Sequence, residues 1–166
     1  MIYIQDHFLE ASTCQNLIKN PSIIGSSKVV LESGQKVEDY SFRNSIKFGL
    51  QEETAHEIHQ KILDSRSKIE DKISVAKLIT TLSPIKVLRY EKGHFFKRHR
   101  DIGQSGITAK RILTAIIFLK DSRKEIMPFK SGKLILYGVH PQLPKVGFPI
   151  EAKARRLIVF PSNLPH

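Results

Sequence analysis

The sequence predicts an α+β fold that is mainly β: a double-stranded β-helix (jelly roll) with N-terminal helices packed outside it. Two patterns carry that expectation. From Glu52 to Ile73, the apolar residues Ala55, Ile58, Ile62, Ile69 and Ile73 recur at helical spacing among charged ones, as in an amphipathic helix lying on a sheet. After Ser83-Pro84 the period changes. Ile85 to Tyr90, Arg111 to Leu119, Leu134 to Tyr137 and Leu157 to Phe160 are short apolar or alternating runs separated by Gly, Pro and charged loops, which is strand punctuation. Several strands closing around a site after a helical region fit the jelly-roll architectures.

Taken in order, Ser12-Thr13-Cys14-Gln15 has the hydroxyl and amide spacing of a capping box ahead of Leu17 and Ile18, predicting a short helix. Val29, Val30 and Leu31 suggest a strand before Ser33-Gly34. The helix from Glu52 follows. In the second half, Leu113 to Leu119 is almost continuously apolar, as expected of a strand covered on both faces. Thr114, Ile116 and Phe118 share one of those faces. Residues 120–131 are polar and irregular, a mobile loop at the mouth of the fold. At 166 residues the chain fits one domain, 1–166, with 1–83 as helical and strand support and 84–166 as the core.

Composition narrows the function classes. The chain is 40% apolar and 26% charged, with no apolar run long enough to span a membrane and no signal-peptide pattern at its start. Cys14 is the only cysteine, which excludes an internal disulfide and suggests a cytoplasmic setting with Cys14 as a small buried side chain. The net charge of +11 is lopsided: residues 1–85 hold 10 Lys and Arg against 11 Asp and Glu, whereas residues 86–166 hold 17 against 5. Such a half could draw in small anions, an acidic partner or nucleic acid, or simply be a solvated basic surface.

The chemistry-bearing pattern is His99-Arg100-Asp101 with a distant histidine, His166. Residues i and i+2 of a strand project from one face, so His99 and Asp101 could bind one metal together. Two imidazoles and one carboxylate are the ligand set of a non-haem iron centre with open coordination positions. The alternative sites are weaker. His56 and His59 lie three apart on a helix but read as a solvated face, and His94 and His140 are not at ligand positions. His-Arg-Asp also occurs in kinase catalytic loops, but the accompanying Asn and glycine-rich loop are missing.

The order of motifs over 84–166 resembles the 2-oxoglutarate/Fe(II) dioxygenases of the prolyl-4-hydroxylase type. The matching blocks are Tyr90 to Gly93, His99 to Asp101, Arg111-Ile112-Leu113-Thr114, Ser131-Gly132-Lys133-Leu134, and Phe160-Pro161-Ser162 followed by His166. The opening Ile2 to Leu9 and the Arg43-Asn44-Ser45 segment are similar to the family more weakly. The resemblance implies Fe(II) held by His99, Asp101 and His166, and 2-oxoglutarate contacted by Tyr90 and Thr114. It also implies O2 as cosubstrate, ascorbate as a further candidate cofactor, and hydroxylation of an unactivated C–H bond. An intact Asp101 favours hydroxylation over halogenation. A prolyl residue, another peptide side chain or a small metabolite are the candidate substrates.

Two departures stand against the family pattern. Phe118 occupies a position where several relatives carry a tyrosine that reaches the cosubstrate. Relatives also continue past the distal histidine into a strand whose Arg or Lys pairs with the far carboxylate of 2-oxoglutarate. The expectation is a core lacking its last strand and a chain that turns over 2-oxoglutarate poorly. Arg111, Lys153 and Arg156 are basic residues on or near strands, though none matches the family position. Two alternatives remain: a nucleic-acid oxidative demethylase, suggested by the basic half, and a truncated, non-catalytic jelly-roll binding module.

Overall fold

The computed structural model describes residues 2–20, 22–30, 35–74, 81–103, 109–120 and 133–166. Along the chain run β1 (Tyr3–Gln5), α1 (Ala11–Lys19), β2 (Ser22–Ser26), β3 (Val29–Val30), β4 (Lys36–Val37), β5 (Arg43–Asn44) and β6 (Ile46–Gly49). Next come α2 (Glu52–Asp64), α3 (Arg66–Ile73), β7 (Val87–Arg89), β8 (Phe95–Phe96), β9 (Leu113–Phe118), β10 (Leu134–Tyr137), β11 (Gly147–Ile150) and β12 (Arg156–Pro161). The fold is mainly β with few helices. Among the described residues no helix is long and apolar enough to cross a membrane.

β12 organises the molecule. It lies between β1 and β9, antiparallel to both, with Val159 opposite Tyr3 and Ala115, and Phe160 opposite Thr114. Its side chains alternate between two cores. Leu157 and Val159 join Phe8, Leu9, Cys14, Ile58, Ile69 and Ile73 under the helices. Ile158 and Phe160 face the other way, onto Leu136 and Ile150 of the β10–β11 hairpin, with Ile116 and Phe118 beside them. The burial on both faces expected of 113–119 is therefore found on β12. β9 borders β12 on one side and leaves Ala115 exposed. As read from the sequence, Ile116 and Phe118 share the inner face while Leu113 and Ile117 pack toward the helices.

Several local expectations change. The capping box at Ser12 is not formed: α1 begins two residues earlier, with Glu10 as N-cap and no side-chain cap hydrogen bond. Packing decides the start, because Leu9 before the cap and Cys14 in the first turn are both buried in one core, as in a hydrophobic staple. The single helix expected over 52–73 is two, joined at Ser65, whose ψ is 0° and whose N–H is shared between the Lys61 and Ile62 carbonyls. Serine is a weak helix former, and this tightened turn interrupts the α geometry. Leu31, Ser33, Gly34, Ser131 and Gly132, and nearly all of the loop expected over 120–131, lie outside the described residues.

The segment after β1 is tied to the turn before β12. Phe8 N–H donates to the Arg155 carbonyl (2.7 Å), and Arg155 Nε donates to the Leu9 carbonyl (2.6 Å). Asp6 accepts from Arg156 Nε (2.7 Å) and Lys153 Nζ (2.6 Å), and the hydrogen bonds from these two cations hold its carboxyl well below the usual carboxylate range. A depressed folded-state pKa means this contribution is present above the unfolded value of about 3.9 and is lost as pH falls below it. Urea titrations from about pH 5 to pH 2 are expected to show a smaller loss of stability for Asp6→Asn than for the unaltered chain.

Candidate metal centre

The structure brings His99, Asp101 and His166 together: one nitrogen from each histidine and one carboxylate oxygen all lie within 4.8 Å of one another. His99 Nε2 is 3.5 Å from Asp101 Oδ1, and His166 Nε2 is 3.9 Å from Asp101 Oδ2. Donor atoms sharing one ion at about 2.0–2.2 Å stand about 3.0–3.5 Å apart at octahedral or tetrahedral angles. The observed separations are close to that spacing.

Backbone pairing produces this convergence. Residues 99–101 do not form the strand that the His-x-Asp reading assumed; the extended backbone pairs locally with 162–166 instead. His99 and His166 exchange both N–H···O bonds, each 2.9 Å, which sets their side chains directly opposite. Asp101 and Ile102 both donate their N–H to the Ser162 carbonyl (3.0 and 3.1 Å). The turn that follows Phe160-Pro161-Ser162 then carries His166 back beside His99.

Electrostatics explains what the cluster lacks. His99 Nδ1 lies 2.9 Å from the Lys97 carbonyl and His166 Nδ1 lies 3.1 Å from the Leu164 carbonyl. A carbonyl only accepts, so both Nδ1 atoms carry a proton, and the Nε2 atom of each ring is the one turned toward the carboxylate. Burial pushes the His166 imidazole below its usual pKa, which keeps it neutral at pH 7. Burial would raise the Asp101 carboxyl, but the hydrogen bonds from His99 and Thr114 and the field of the two histidines bring it down to about 2. An ionised carboxylate flanked by two imidazole nitrogens is a donor set suited to a divalent cation.

Thr114, expected from the sequence to contact the cosubstrate, donates its hydroxyl to Asp101 Oδ2 (2.9 Å) and meets Ser162 Oγ at 3.0 Å. Its placement serves to orient the carboxylate. Thr114→Val is expected to weaken Fe(II) or Mn(II) affinity by about tenfold, measured by metal titration, because groups holding a ligand in place typically contribute 10- to 100-fold. Tyr90 follows β7 by one residue and is exposed. Ser162, fully buried, is the site residue the sequence reading passed over; it appeared in a motif without a role. Its signal was a small polar residue ending an apolar strand.

Aromatic rings fix both imidazoles. Phe96 stacks on His99 with centroids 3.5 Å apart, and Phe160 meets His166 edge-on at 4.9 Å. Of the cations weighed for the far carboxylate, Lys153 and Arg156 are paired with Asp6. Arg111 donates to the Asp101 carbonyl (3.3 Å) and borders a cleft of about 340 Å³ shared with Ile102, Leu113, Pro161 and Asn163. His59 contacts the Ser83 carbonyl and takes no part in the cluster.

Residues 85–166, the part of the chain that carries this triad, match the 2OG-Fe(II) oxygenase superfamily. The chain is thus an enzyme of the class that uses 2-oxoglutarate and O2 as cosubstrates. In three dimensions the chain is similar to the crystal structure of a Pseudomonas putida prolyl-4-hydroxylase. The TM-score is 0.61 at 20% identity, over 99% of this chain and 83% of that one. At that identity the likeness speaks for the fold. No curated protein matches the chain significantly in sequence.

Proposed function

We propose that the chain is an Fe(II)- and 2-oxoglutarate-dependent hydroxylase in which His99, Asp101 and His166 hold the iron, on a single double-stranded β-helix domain spanning 1–166. The observation that carries this reading is the convergence of one nitrogen from each of two imidazoles with one ionised carboxylate. When bound, the iron supplies the oxidative decarboxylation of 2-oxoglutarate coupled to hydroxylation of a C–H bond. The protein's share is placement. Thr114 and Ser162 orient the carboxylate, and Phe96 and Phe160 fix the imidazoles.

For the substrate, the likeness to a prolyl-4-hydroxylase favours a prolyl or other peptide residue, with a small metabolite as the alternative. Tyr90, exposed one residue after β7, is a candidate contact for 2-oxoglutarate. Ascorbate would act as an accessory reductant, and a cytoplasmic setting suits a single, free and buried Cys14. The test is succinate formation from 2-oxoglutarate by the purified chain with Fe(II) under air. Metal-dependent succinate that vanishes in His166→Ala supports the reading; succinate formation insensitive to that change overturns the ligand assignment.

A further inference from the structure

We propose that the tip of the β10–β11 hairpin docks the protein on an anionic lipid bilayer, with Leu143 and Val146 entering the apolar boundary and Arg98 and Lys145 meeting the headgroups. This surface lies outside the triad, and its docking does not depend on what the triad binds.

Local structure holds bulky apolar groups in water here. Residues 138–146 join β10 to β11 through two successive turns: Leu143 N–H donates to the His140 carbonyl (3.0 Å), and Val146 N–H donates to the Leu143 carbonyl (3.1 Å). Pro141 and Pro144 take the second position of each turn, where the fixed proline φ favours the bend. Among the described residues, five large apolar side chains are more than half exposed, and three of them are Leu143 (53%), Val146 (58%) and Phe148 (51%). Tyr137 and Gly147, the last pair of the ladder, close the neck. That neck is anchored on the fold: Tyr137 N–H donates to the Pro165 carbonyl (2.8 Å), and Leu136 before it is fully buried. The tip therefore projects from a fixed base.

Charge and shape select the occupant. Residues 133–149 contain Lys133 and Lys145 and no Asp or Glu, and residues 92–100, which bring Arg98 beside the neck, are basic with no Asp or Glu either. The Arg98 guanidinium lies 5.0 Å from the centroid of the Tyr137 ring. A phenol and a guanidinium at the neck, with aliphatic side chains beyond them, follow the polarity profile of a membrane interface: ring and cation at headgroup depth, apolar groups deeper. A protein partner fits less well. A stable protein–protein interface needs about 800 Å² on each side with matched shape, whereas these side chains stand out from a short loop. Strand addition along β11 is disfavoured too, because Pro149 removes a backbone donor. A bilayer requires no matched surface, only apolar side chains that reach the boundary and cations that stay near the phosphates.

The experiment co-sediments the full chain with vesicles of phosphatidylcholine alone, or of phosphatidylcholine with phosphatidylserine at about one lipid in three. Support is salt-sensitive binding to the mixed vesicles only, reduced roughly tenfold or more in Leu143→Ser/Val146→Ser and in Lys145→Glu. Both variants change exposed loop positions, so thermal denaturation should not move. Lys19→Glu is the charge-matched control. α1 packs on the other side of β12 from the hairpin, so this change should leave binding within about twofold. Because the chain has no tryptophan, Val146→Trp supplies a single reporter, whose emission should shift to the blue on mixed vesicles. Equal losses in Lys145→Glu and Lys19→Glu, equal binding to both kinds of vesicle, or an unshifted reporter in vesicle-bound chain each overturn the proposal. Absence of vesicle binding overturns it as well, and hexaglutamate binding that is lost in Lys145→Glu would then assign the tip to an acidic protein.

Discussion

Asp101→Ala is expected to reduce Fe(II)-dependent succinate formation by more than about 100-fold while leaving the metal-free fold intact. The carboxylate is the one anionic donor in the triad, and its removal leaves two imidazoles 4.2 Å apart between ring centres. Supporting groups alone typically contribute 10- to 100-fold, so loss of the ligand itself should exceed that range. Two measurements separate this from unfolding. Thermal denaturation without metal should shift little, since the change removes a partly exposed carboxylate and its hydrogen bond from Thr114 without opening a core cavity. Added metal at about 100 times the dissociation constant should stabilise the unaltered chain by about 2.7 kcal/mol and the variant hardly at all. Equal metal-induced stabilisation of both would remove Asp101 from the site.

The second large effect is expected at Phe160. Its side chain is fully buried on β12, packs with Leu136, Ile150 and Ile158, and meets His166 edge-on. Phe160→Ala should destabilise the fold by about 3–5 kcal/mol, from lost burial and from the cavity left behind. Urea denaturation measures that loss. Metal affinity should fall as well, because the His166 ring loses the surface against which it is set. Phe160→Leu, which keeps most of the volume, should recover most of the stability but less of the affinity. Equal recovery of both would mean that the edge-on ring contact contributes nothing to the site.

The triad was legible because a ligand set depends on residue type and order, and both are written in the chain. His-x-Asp, the Phe-Pro-Ser block and the last histidine could be read before any geometry was known. The local pairing was less visible. His99 and His166 face each other through backbone hydrogen bonds, which any residue can make, so no side-chain pattern announced them. β11 was missed because Gly147 and Pro149 read as loop residues. An edge strand tolerates the proline, and a Cβ at position 147 would come within 2.6 Å of Ile135 Cγ2. The start of α1 was misplaced because core burial of Leu9 and Cys14 overrode the polar cap signal.

The position of β12 between β1 and β9 also fixes an order of events as the chain emerges from the ribosome. β1 is synthesised first, yet its partner arrives about 150 residues later, a separation that belongs to slow, non-local folding. His99 likewise waits for His166 before its imidazole has an opposite number. Until β12 docks, neither the sheet nor the cluster of donor atoms exists. Metal uptake by nascent chains released at successive lengths should therefore rise in one step, at the length that lets residues 156–166 reach the sheet.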